Sequence, residues 1–146
     1  MTVYYLREAR IEYGPRKRNA RAITDHLALR AFLLEEIGSL VSEKIVAVSL
    51  DARQRPLAWT TVASGTELGC PLQLSVVLRF ALMAGGPSFI LAHNHPSGSA
   101  EPSPQDDVIT AQLYQAAKLV GLVLLDHVVV TDTEVFSYQQ AGRMPK

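Results

Sequence analysis

The sequence predicts an α/β fold, an α-β-α sandwich around one mixed β-sheet. Segments with helical spacing of apolar residues alternate with short extended segments along the chain, the pattern of helices layered on a sheet. The run Ile45-Val46-Ala47-Val48 is apolar at every position, as in a strand covered on both faces. A chain of 146 residues, 48% hydrophobic and 19% charged, buries enough apolar surface to offset its conformational entropy in one domain. That domain is read over residues 1–146, with a basic arm to about residue 22 and a core from about 23 to 140. No repeat, low-complexity tract or Pro/Gly/Ser-rich linker divides it.

Val3 to Arg7 reads as a short edge strand and Gly14 to Asn19 as a basic loop. Thr24 and Asp25 supply a helix N-cap and an early acid, after which Leu29, Phe32, Leu33, Ile37 and Leu40 recur at helical spacing. Glu43 to Leu50 forms a strand, Asp51 to Arg55 a turn, and Pro56 to Val62 the returning strand, with Trp59 as a core residue. Ser64 to Gly69 is a loop. Pro71 opens a second helix whose buried stripe is Leu74, Val77, Leu78, Ala81 and Leu82, ended by Gly85 and Gly86. Ser88 to Ala92 is a short central strand that stops at His93. A third helix runs from about Pro104 to Val120 and is closed by Gly121; Leu122 to Thr131 and Glu134 to Tyr138 are the last strands.

Composition removes several classes of function. The single cysteine, Cys70, excludes an internal disulfide and zinc sites built on cysteine pairs, and no histidine close in sequence activates it. Any metal must therefore use His, Asp or Glu. Fourteen basic residues balance fourteen acidic ones, which argues against a protein that coats nucleic acid. Residues 1 to 30 nevertheless hold seven basic residues against Glu8, Glu12 and Asp25. This reads as a solvated arm, with a phosphate contact through Arg16, Lys17 and Arg18 as the competing reading. The longest apolar runs, Gly121 to Leu125 and Val128 to Val130, fall far short of the roughly 20 residues a membrane span needs. With no secretion signal at its start, the chain is expected to be cytoplasmic and without a membrane partner. Oligomeric state is left open, although an N-terminal edge strand could pair between copies.

The densest chemistry lies between His93 and Asp106. Two histidines at i and i+2 leave the end of a buried strand, and Pro96 and Gly98 turn the backbone so that both imidazoles can aim at one point. Asp106, from the first turn of the next helix, completes a His₂Asp set. Catalytic zinc sites use three protein ligands and leave the fourth position to water, whose pKa falls to about 7. Each piece also has a plainer reading. Ser103-Pro104-Gln105-Asp106 is a helix-capping sequence, a His-x-His pair in a loop can simply be solvated, and Asn94 to Gly98 can be merely a turn. The coincidence of all three within 14 residues favours the metal.

His93-x-His95, seven intervening residues and Ser103-x-x-Asp106 resemble the JAMM signature of the JAB/MPN metallopeptidases. His-Asn-His-Pro-Ser-Gly is similar to the form of that signature in the RadC family. The likeness runs from about Glu43 to Val130 and includes Asp126-His127 in an apolar strand. It implies the JAB/MPN sandwich, a layout related to that of the cytidine deaminases, with Zn2+ held by His93, His95 and Asp106. It further implies that Ser103 donates to the developing oxyanion and that a glutamate serves as general base. Glu43 is the best match, because it stands just before the apolar strand; Glu35 and Glu36 sit inside the preceding helix and Glu67 in a later loop. Its plain reading is an exposed acid at a strand entrance.

The implied function is zinc-dependent cleavage of a peptide, isopeptide or other amide bond. The RadC branch also carries a DNA-repair label, so the competing function is a DNA-associated accessory protein, marked by a salt-sensitive affinity. Asn94 matches the RadC form, where many eukaryotic-type relatives have a small hydroxyl residue. The helical DNA-binding region of full-length RadC-like proteins has no room in the forty or so residues before Glu43, so a stand-alone catalytic module or a short form carried on a mobile element is expected. Ser64 to Leu74 matches the family less closely. An HNH nuclease is rejected because its named residues are spread along the chain, and a nucleobase deaminase because it needs a downstream Cys-x-x-Cys. His127 reads either as a partner of the zinc site, oriented by a carboxylate, or as a half-buried strand histidine bonded locally. His26 reads as a surface residue at a helix start.

Overall fold

The computed structural model describes residue 12 and residues 26–65 and 71–146. The expected strand at Val3–Arg7, the basic loop, the Thr24–Asp25 cap, Glu67 and Cys70 lie outside the described residues, as does the side chain of His26. In chain order the elements are α1 (His26–Leu33), running directly into a π-type turn (Leu34–Gly38), then β1 (Lys44–Leu50), β2 (Pro56–Ser64), α2 (Leu74–Ala84), β3 (Ser88–Asn94), α3 (Pro104–Leu119), β4 (Val123–Val130) and β5 (Val135–Ser137).

The strands form one sheet in the order β2-β1-β3-β4-β5. Pairing is antiparallel except between β3 and β4, where α3 supplies the crossover that parallel neighbours require. The sheet is therefore mixed, as the sequence predicts. Strand alternation divides the core. Val46, Val48, Leu50, Ile90, Ala92, Val128 and Val130 pack with Leu29, Leu33 and Ile37 on one face. Ile45, Ala47, Phe89, Leu91 and Leu124 pack with Val77 and Ala81 of α2 and Leu113 and Ala117 of α3 on the other. Both faces are covered, which explains the apolar runs of β1 and β3. Among the described residues, no helix is long and apolar enough to cross a membrane.

Four details differ from the sequence reading. β3 continues through His93 and Asn94, because pairing persists to His93 on the β1 side and to Asn94 on the β4 side. α2 begins at Leu74, not Pro71. Leu82 is half exposed rather than part of the buried stripe, whose deepest members are Val77 and Ala81. Trp59 lies on the edge strand, 39% exposed, and meets Phe32 of α1 edge-on at 5.3 Å instead of filling the core.

Close packing at the start of β3 depends on one glycine. A Cβ at Gly86 would overlap the Leu50 carbonyl oxygen and lie 2.6 Å from Ser49 Oγ. Ser49 is fully buried, and its hydroxyl is the only buried side-chain polar atom among the described residues without a hydrogen-bond partner.

Candidate metal centre

The carboxyl end of β3 delivers two imidazoles to one point. His93 is the penultimate strand residue and fully buried, whereas His95 follows the strand and is partly exposed. The chain turns over His95-Pro96-Ser97-Gly98, with Gly98 N donating to His95 O at 3.1 Å. Gly98 sits at φ +87, a conformation glycine adopts without steric cost. His95 N donates to Val130 O at 2.9 Å, which ties the turn to the end of β4.

α3 brings the carboxylate. Ser103 caps the helix: its Oγ accepts from Asp106 N at 3.1 Å while Ser103 N donates to Asp106 Oδ2 at 2.8 Å. This is the reciprocal capping box, with the acid at the position where the helix dipole favours negative charge. The same carboxylate faces both imidazoles, with Oδ1 3.3 Å from His93 Nε2 and Oδ2 3.2 Å from His95 Nε2. His93 Nε2 and His95 Nε2 are 2.9 Å apart. The capping and ligand readings of Asp106 are thus one arrangement, in which the cap fixes the carboxylate for the cluster.

The three atoms His93 Nε2, His95 Nε2 and an Asp106 oxygen could hold a metal ion. A tetrahedron with bonds of about 2.0 to 2.1 Å has donor-to-donor edges of about 3.3 Å; the two imidazole nitrogens stand 2.9 Å apart, and each lies 3.2 to 3.3 Å from a different oxygen of the Asp106 carboxylate. The chemistry of the set agrees. His95 Nδ1 lies 3.0 Å from Ser99 O, and a carbonyl only accepts, so a neutral His95 carries its proton there and presents a lone pair at Nε2. With lone pairs turned on one point, such a set suits a bound cation. Protons compete for the same place. The hydrogen bond that His95 donates to the Asp106 carboxylate raises the His95 pKa, against the effect of burial. Burial alone would raise the Asp106 carboxyl, yet hydrogen bonds from His93 and His95 hold it well below the usual carboxylate range.

Behind His93 stands His127, fully buried on β4. Its Nε2 is 2.8 Å from His93 Nδ1, and its Nδ1 is 2.6 Å from Thr110 Oγ1. Burial, reinforced by the neighbouring His93, keeps its pKa well below the usual imidazole value. Among the described residues its two ring nitrogens face His93 and Thr110 rather than a carboxylate. The adjacent Asp126 accepts instead from Ser137 Oγ at 2.6 Å and Gln139 N at 3.0 Å, and Tyr138 stacks on the His127 ring at 5.0 Å and 8°.

Glu43 is partly buried just ahead of β1. The β1–β3 pairing ends with Ile45 opposite His93, which puts Glu43, two residues before Ile45, at the same end of the sheet as His95. Its charge is among the influences that raise the His95 pKa. The segment is clamped. Asn94 is fully buried, and its Nδ2 donates to Ser42 O at 3.0 Å and Leu40 O at 3.3 Å. From β2, Gly65 N donates to Glu43 O at 2.6 Å, and a Cβ at Gly65 would stand only 3.0 Å from that oxygen. Sequence reasoning missed Asn94 and Gly65 as positioning residues, and the partners they hold are far away in the chain. It also missed Thr110, for which a local signal existed, because four residues after Asp106 on a helix is the same face.

A family model described as the RadC-like JAB domain matches residues 23–143. A UPF0758 protein of Aromatoleum aromaticum is 39% identical over 135 residues, covering 92% of this chain and 60% of that protein. UPF0758 proteins of Nitrosococcus oceani and Streptococcus sanguinis are 38% and 36% identical, over 82% and 75% of this chain and 54% and 48% of their own lengths. The chain spans about half the length of the curated relatives it matches.

Proposed function

The chain belongs to the RadC-like JAB domain family, and on that footing we propose that it is a zinc-dependent hydrolase of a peptide, isopeptide or other amide bond. In this reading His93, His95 and Asp106 hold the metal, Glu43 is the general base and Ser103 the oxyanion donor. The observation that carries it is the convergence of His93 Nε2, His95 Nε2 and the two oxygens of the Asp106 carboxylate at the end of β3, with contacts of 2.9 to 3.3 Å between neighbours.

When bound, zinc supplies a Lewis acid and lowers the pKa of water to about 7. The Glu43 carboxylate takes a proton from the attacking water as the new C–O bond forms, then gives it to the amine nitrogen as the C–N bond breaks. The products are a carboxylate and an amine. Ser103 uses an oxygen lone pair for its cap, which leaves its hydroxyl hydrogen to meet the carbonyl oxygen as that atom gains charge. Arg16, Lys17 and Arg18, on which the DNA reading rests, lie outside the described residues.

Zinc per chain, measured by plasma mass spectrometry on wild type and His95→Ala prepared side by side without added metal, tests the site. About one zinc in the wild type and little in the variant is expected for a three-ligand centre. Release of an amine from amide and isopeptide substrates, abolished by chelation and restored by zinc, tests the reaction. A wild-type chain that takes up no zinc even on titration, or equal zinc in His95→Ala, overturns the reading.

A further inference from the structure

Behind the metal cluster, a closed chain of hydrogen bonds joins two of the residues assigned above as ligands, and on that assignment we infer that Thr110 is a positioning residue that sets the tautomer of His93 through His127. The direction of every bond follows from one proton. Thr110 Oγ1 is 2.6 Å from Asp106 O, the carbonyl four residues earlier on α3. A carbonyl oxygen has no hydrogen to give, so the hydroxyl's only proton lies in that bond. The equally short contact to His127 Nδ1, 2.6 Å, must then take its proton from the imidazole.

A neutral His127 protonated at Nδ1 has its lone pair at Nε2. That atom faces His93 Nδ1 at 2.8 Å, so His93 donates from Nδ1 and is left with a lone pair at Nε2, the atom in the cluster. The His127 ring is held in plane by Tyr138, stacked at 8°, whose hydroxyl donates to Asp107 at 2.8 Å. The circuit begins and ends on ligands. His93 starts it, and the proton at its far end rests on the backbone of Asp106. Metal-bound histidines more commonly give their second N–H to a carboxylate, a backbone carbonyl or water. A neutral imidazole in that place fixes the tautomer without adding negative charge, and a hydroxyl with its proton already committed forces that imidazole to accept at Nε2.

The test compares zinc affinity, by competition with a fluorescent chelator, in wild type, Thr110→Ser and Thr110→Val. Thr110→Ser keeps the hydroxyl and is expected to bind within about twofold of wild type; Thr110→Val frees His127 to protonate at Nε2 and is expected to bind about ten- to a hundredfold more weakly. A helix-bracing role alone would lower the melting temperature of Thr110→Val and leave the zinc affinity of the folded protein unmoved. Equal affinity in a folded Thr110→Val overturns the Thr110 assignment while the metal site stands, whereas a wild type that binds no zinc overturns both. Should Thr110→Val not fold, ¹⁵N chemical shifts of the imidazoles in the zinc-loaded wild type decide the matter. Protons at Nδ1 of both His93 and His127 support the relay, and a proton at His127 Nε2 removes it.

Discussion

The side-chain oxygen of Asn94 accepts the backbone N–H of Lys44 at 2.7 Å, across fifty residues of sequence. With its donations to Leu40 and Ser42, this single amide bonds to the backbone on both sides of Glu43. The residue between the two histidines of the motif therefore belongs structurally to the glutamate. Asn94→Ala leaves one backbone N–H and two carbonyls without their partner, at a cost of about 3 kcal/mol. Melting should fall by about 10 °C, and amide exchange should quicken over residues 40–44. Unchanged exchange in that segment would show that the clamp does not hold it.

Glu43→Gln preserves the shape of the side chain and removes its basicity. Zinc content should match wild type while turnover of an amide substrate drops about 10²- to 10⁴-fold. Hydrolysis at the wild-type rate would take the general-base role away from Glu43.

Ser103 caps α3, and one substitution separates that cap from the oxyanion role proposed for it. Glycine is nearly as good an N-cap as serine, so Ser103→Gly should change stability by only a few tenths of a kcal/mol. Loss of the oxyanion donor should nevertheless lower kcat about 10²- to 10³-fold. A kcat within twofold of wild type, in a variant that melts normally, would leave Ser103 as a cap alone.

The raised His95 pKa fixes the sign of a pH effect. In the metal-free chain the folded state keeps a proton on His95 above the unfolded value of about 6.5. That contribution to stability is complete below about pH 6.5 and is lost as pH rises through the raised folded pKa. Zinc must displace this proton. The rise in melting temperature on adding zinc should accordingly be larger at about pH 8 than at about pH 6, and an equal rise at both would exclude competition between proton and metal.

Ser49 and Gly86 meet where β1 passes the start of β3. Ser49→Ala removes a buried hydroxyl that has no partner among the described residues and should be neutral or stabilising by up to about 1 kcal/mol. Gly86→Ala drives a methyl into the Leu50 carbonyl and should destabilise by about 1–3 kcal/mol. Thermal melts of the two variants check both signs; a Gly86→Ala variant as stable as wild type would mean that the backbone there gives way.

By itself the sequence determined what local chemistry determines. Apolar periodicity located α1 to α3 and the five strands of the sheet, because alternation and helical spacing are properties of neighbouring residues. The cluster that could hold a metal was readable for the same reason: His93, His95 and Asp106 lie within one strand end, one turn and one helix cap. Tertiary structure decided what depends on pairing between distant segments. The β1–β3 pairing brings Glu43, just ahead of β1, to the end of β3 and gives Asn94 its partners. Which of Asp126 and His127 would face the cluster was not legible, because Val128, Val129 and Val130 are apolar on both faces of the strand and so do not mark which face is which. Pleat and register settled it, sending His127 to His93 and Asp126 to Ser137. Thr110, an ordinary helix residue in sequence, met His127 only once α3 packed against β4, since a hydrogen bond across the layers depends on the packing that sets their separation.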